Sequence, residues 1–158
     1  MADRDKKLAQ NTRKNINNFS DEKKGTNESF FRELKRACSG LVYISETDAE
    51  IVPFRLIETR SSIVDTLRED ASIDLTGTEP VDESNFDEFF DRLTLERDWH
   101  GDEERRSTMK FGRVRDLLSK NLSDLKVFRF GRVRIDIFVV GSDKKGKLVG
   151  IKTRAVET

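Results

Sequence analysis

The side chains best equipped for chemistry are few and poorly placed for it. The only histidine, His100, stands in "DWHGDEE". A general base needs a proton to take and a partner to orient it, whereas this context reads as a helix start, which makes His100 a surface or capping residue. The only cysteine, Cys38, lies on the apolar side of a helical stretch, where a thiol behaves as a small inert hydrophobe. The segment "GSDKKGK" (141–147) has glycines and lysines, but not at the spacing of a phosphate loop, and it joins two strands instead of a strand and a helix. It is expected to be a hairpin turn. Carboxylates are plentiful, yet none follow the spacing of a calcium loop or a glycosidase pair. The expectation is a protein that is not an enzyme, needs no cofactor and holds no metal of its own.

Whatever these residues do, the elements around them set their positions. In "TNESFFRELKRACSG", Phe30, Phe31, Leu34, Ala37 and Cys38 share one helical face, with Thr26 or Asn27 as cap and Gly40 as stop. In "SNFDEFFDRLT", Ser84 and Asp87 read as a capping box, and Phe86, Phe89, Phe90 and Leu93 repeat at i, i+3, i+4, i+7. A third helix is expected to begin at Asp102, with acidic residues in its first turn and Phe111, Val114, Leu117, Leu118 and Leu122 aligned behind them. Alternation marks strands. "RVRIDIFVV" puts Val133, Ile135, Ile137 and Val139 on one face of a half-buried strand, and with "KVFRF" and "KLVGIKTRAV" it predicts an antiparallel meander. "LVYIS" and "VPFRLIE" read as two earlier strands, the second near an edge because of Pro53. "SSIVDTLRED" fits a short helix and "ASIDLTG" a weak strand. The fold class expected is α+β, with helices packed on an antiparallel sheet.

The 158 residues suit one domain. Residues 1–28, polar and rich in Asn and Lys, read as a flexible tail, and 29–158 as the folded domain. With one cysteine, no export signal and no apolar run of about 20 residues, the expectation is a cytoplasmic protein without a membrane partner. Thirty basic and thirty acidic residues cancel, but unevenly: 42–104 carries −14 and 105–158 carries +10. The acidic middle disfavours nucleic acid and favours a basic partner. A solvated face neutralised within the same fold explains it equally well.

Three stretches carry a more specific signal: "CSGLVYISETD" (38–48), "RDWHGDEE" (97–104) and the run from Leu117 to the final "VET". Together, over about Ser29 to Thr158, the chain resembles the nuclease A inhibitor family. The resemblance implies an α/β/α sandwich that acts as a monomer, binds a metal-dependent, sugar-nonspecific DNA/RNA nuclease and blocks its active site without performing a reaction. Carried over by residue, it implies that Glu46, Asp98, Trp99 and the last two residues, Glu157 and Thr158, form the contact surface. Thr158 would face the nuclease's metal, the oxygens mimicking phosphate. Read without the resemblance, Asp98 caps a turn, Trp99 is core, Glu46 belongs to a solvated acidic cluster and Thr158 is a frayed end.

Two other functions fit the residues. Arg129, Arg132 and Arg134, interleaved with Phe128 and Phe130, could grip phosphates and stack on bases; the plainer reading is the charged outer face of a hairpin. A domain of the same architecture could also bind a different basic protein.

Overall fold

The computed structural model describes residues 28–56, 62–70 and 73–158. Residues 1–27 of the expected tail, and with them the Thr26 or Asn27 cap, lie outside the described residues, while Glu28, expected as the tail's last residue, is helical. The first helix, α1, occupies 28–38. Leu34, Ala37 and Cys38 on its apolar face are buried, and Gly40 ends it at φ 73°, a left-handed conformation that glycine adopts without steric cost.

The chain then forms a two-stranded antiparallel hairpin, β1 (Val42–Ile44) and β2 (Asp48–Glu50), and enters β3 (Val52–Arg55). After α2 (Ile63–Glu69) come β4 (Val81–Ser84), α3 (Phe86–Thr94) and α4 (Asp102–Asn121). The meander β5 (Ser123–Phe130), β6 (Arg134–Ser142) and β7 (Leu148–Val156) completes it. The main sheet is antiparallel, in the order β3-β7-β6-β5-β4. Two compact units divide the chain, Met1–Arg32 and Glu33–Thr158. The sheet, α2, α3, α4 and all five expected contact residues belong to the second.

The α+β class and the meander agree with the pattern of the sequence. Several details differ. The β6 strand is not half-buried: Phe138 and Val140 are as buried as Ile137 and Val139, because Leu67 of α2 packs over Phe54, Phe128, Phe130 and Phe138 on one sheet face. Phe138 meets both Phe54 and Phe130 edge to face, at 5.8 and 5.6 Å between ring centres, and a fully buried side chain of this kind contributes roughly 1.5–3 kcal/mol. Val127, Ile137 and Val139 point to the opposite face, where α3 and α4 contact β5 and bury Phe90, Val114 and Leu118. Helices thus cover both faces.

Val133 stays outside β6 and is exposed, since the turn after Phe130 takes three residues. Gly131 makes this turn at φ 111°, where a Cβ would come within 2.1 Å of the Arg134 carbonyl. Ser84 does not cap α3; it ends β4, and Asn85 caps instead, its Oδ1 accepting from the N–H groups of Asp87 and Glu88. The weak strand expected at 71–77 is absent from its described part, 73–77, where Glu79 organises a loop. The short helix expected around residue 65 is α2, capped by the Ser62 hydroxyl. Pro53 does lie on an edge strand, β3 pairing only with β7.

Candidate functional site

The β1–β2 turn and the end of β7 come together although 112 residues separate their closest pair. Ser45 is the hinge of this junction. Its hydroxyl donates to the Thr47 carbonyl at 2.8 Å and accepts the Val156 N–H at 3.0 Å, while the Glu46 N–H donates to the Val156 carbonyl at 3.3 Å. The two residues beyond the strand are then held in turn. Glu157 donates its N–H to the Val133 carbonyl at 2.9 Å, and its carboxylate accepts from Arg129 Nη2 at 2.6 Å. Thr158 Oγ1 donates to Glu46 Oε1 at 2.5 Å. These hydrogen bonds bring Glu46, Glu157 and Thr158 to one place on the molecule.

Asp98 and Trp99 occupy the 95–101 loop between α3 and α4. Trp99 is 71% exposed, which excludes the core reading. Its ring leans edge-on against His100 at 4.4 Å. His100 closes the turn: its Nδ1 accepts the Arg97 N–H at 3.2 Å, and its own N–H donates to the Arg97 carbonyl. It therefore has the local structural role the sequence suggested. Asp98 is exposed and does not cap that turn. At the loop's far side Glu104 reaches back to accept the Gly101 N–H at 3.0 Å and so starts α4.

No hydrogen bond or ion pair among the described residues links this loop to the Glu46–Thr158 cluster, but the topology places both toward one end of the sheet. Only Leu122 separates α4 from β5, so the helix, ~30 Å long, must double back along the strand, ~27 Å long. The helices α3 and α4 are antiparallel, since Arg115 binds Asp91 at 2.9 Å and Asp87 at 3.1 Å while Arg105 meets Glu96. The 95–101 loop accordingly lies toward the end where β5 finishes at Phe130. Phe130 pairs with Asp136, and Asp136 with Arg154, which is where β7 finishes too.

The remaining chemistry is quiet. Burial pushes the Cys38 thiol up to about 12, so it is not a nucleophile near neutral pH. No group of three or more His, Cys, Asp or Glu among the described residues could hold a metal, and no described helix is long and apolar enough to cross a membrane. "GSDKKGK" includes the β6–β7 turn, with Asp143 Oδ1 accepting the N–H groups of Lys145 and Lys147. Phe128 and Phe130 are core residues under α2 and so present no open ring for stacking on bases, and Arg129 is engaged by Glu157, while Arg132 and Arg134 are exposed. Sequence reasoning missed Ser45, and it read Arg129 as a phosphate contact, not as the partner of Glu157. Ser45 lies inside "CSGLVYISETD", but its partner is 111 residues away and no local pattern announces it.

The α+β domain thus combines a hydrogen-bonded, oxygen-rich chain end with a loop that carries an exposed tryptophan. The family model for nuclease A inhibitor-like proteins matches residues 28–158, and the chain belongs to that family. A sequence comparison with curated proteins returns no match.

Proposed function

We propose that this protein inhibits a metal-dependent, sugar-nonspecific nuclease by seating Glu46, Thr158 and the Asp98–Trp99 loop in the enzyme's active site. The observation that carries this reading is the bond between Thr158 and Glu46, which gathers hard oxygens at one exposed point. A divalent cation in a nuclease centre takes oxygen ligands, and the arginines around it are arranged for phosphate. The oxygens of Thr158 and Glu46 satisfy both demands while offering no scissile bond. Trp99, with its large exposed ring, is the aromatic anchor, since such residues concentrate binding energy once desolvated. Asp98 beside it pairs with a substrate-binding cation of the enzyme. The acidic middle of the chain steers the approach to a basic cleft.

In this reading the protein performs no reaction, contacts no nucleic acid itself and works as a monomer in the cytoplasm, with residues 1–28 as a tail outside the inhibitory domain. The test is a plasmid-nicking assay with a magnesium-dependent, sugar-nonspecific endonuclease. Stoichiometric protein should stop cleavage, and Glu46→Ala combined with removal of Thr158 should restore it. Undiminished cleavage with the wild-type protein, or full inhibition by the altered one, would refute the reading.

A further inference from the structure

We propose that Arg129 and Ser45 are positioning residues that fix the chain end before the partner arrives, so that Thr158 and Glu46 act as one preassembled set of oxygens; this rests on the inhibitor reading above. The β7 ladder stops at Val156, and residues past the last strand ordinarily fray. Here each has its own restraint. Ser45 Oγ holds the Val156 N–H at 3.0 Å, Arg129 Nη2 holds the Glu157 carboxylate at 2.6 Å, and the Val133 carbonyl takes the Glu157 N–H at 2.9 Å. Thr158 follows these restrained residues and meets Glu46.

The geometry explains why these two residues do it. Glu157 continues the face of β7 that carries Thr153 and Ala155, and Arg129, two strands away on the same face, reaches it across β6. The planar guanidinium fork suits a carboxylate in a way that an ammonium does not. Ser45 uses its hydroxyl twice, as donor to Thr47 and acceptor from Val156, so it locks the β1–β2 turn to β7. A half-exposed ion pair adds little to global stability. Its value is that the entropy of ordering the end is met during folding and not on binding. Glu157 is thus a tether rather than a contact.

The test pairs a measurement on the free protein with one on inhibition of a magnesium-dependent, sugar-nonspecific endonuclease. In the free full chain, amide relaxation should give Thr158 an order parameter close to the rigid value of about 0.85, falling below about 0.6 in Arg129→Met. The same substitution should weaken inhibition about tenfold through lost preorganisation, with the melting temperature nearly unchanged. Arg129→Lys should recover part of the loss, and Ser45→Ala should act in the same direction. In protein lacking Thr158, Arg129→Met should cost nothing further. The proposal is overturned if Arg129→Met leaves the end rigid, if it inhibits like wild type while removal of Thr158 does not, or if the two losses multiply. If removal of Thr158 and Glu46→Ala together leave inhibition intact, the inhibitor reading itself falls, an outcome separate from these.

Discussion

The chain end and the tryptophan loop reach the same end of the sheet by opposite means. At the chain end, Glu46, Glu157 and Thr158 are all hydrogen-bonded internally, through Ser45, Val156, Val133 and Arg129. In the loop, internal bonds are spent on closing the turn through His100 and starting α4 through Glu104, while Asp98 and Trp99 extend outward with no such support. One region is tied into the domain by its own hydrogen bonds. The other keeps its polar and apolar surface free for whatever it meets. On the proposed reading, the oxygen set of the chain end meets a metal centre with strict geometry, and the loop tip with its one large ring meets a pocket whose walls can adjust.

The contrast can be broken most severely from beneath. Phe90 is fully buried in α3 and packs on both Phe86 and Phe89. Phe90→Ala should cost about 3–5 kcal/mol in a urea titration and loosen the loop that α3 supports. Next is Trp99→Ala, expected to weaken inhibition by about 2 kcal/mol, roughly thirtyfold. Because the ring is exposed, its thermal unfolding should shift by no more than about 0.5 kcal/mol. A large stability loss there would show that the ring is structural after all. Glu46→Gln should weaken inhibition about tenfold, the scale of a lost charge-assisted hydrogen bond, again without unfolding the domain.

The smallest effect is a control that should touch neither region. Glu79 sits in the 73–80 loop. Desolvation opposes its charge, but hydrogen bonds from the Thr76 N–H, its own N–H, the Thr76 hydroxyl and the Gly77 N–H outweigh this and hold its carboxyl down at about 2. Its folded pKa therefore lies below the unfolded value, so its contribution is complete above about pH 4.5 and is lost as pH falls toward 2. Glu79→Gln should flatten that part of the acid-stability curve in denaturant titrations. Inhibition at neutral pH should not change.

The helices with strong apolar repeats, α3 and α4, were legible, because a face that must be buried has to recur every three or four residues. The short strand β4 was not. Its sequence, "VDES", has no alternation, and it becomes a strand only through pairing with β5. Asn85 and Ser84 are both good caps, and only the end of β4 decides between them. Trp99 was undecidable from composition, since a lone tryptophan serves a core or a surface equally well. The contact set Glu46, Asp98, Trp99, Glu157 and Thr158 came from family resemblance; the clustering of three of them is tertiary, made by chain segments more than a hundred residues apart.

One further consequence follows from the margins of the sheet. On one side the outermost strand, β3, contains Pro53, which has no amide proton to donate. On the other, the four-residue β4 carries Asp82 and Glu83, both exposed. Neither border gives a good template for strand addition. A partner that prolonged the sheet by backbone pairing would find interrupted donors on one flank and, on the other, a strand of four residues whose Glu83 already pairs with Lys126 of β5.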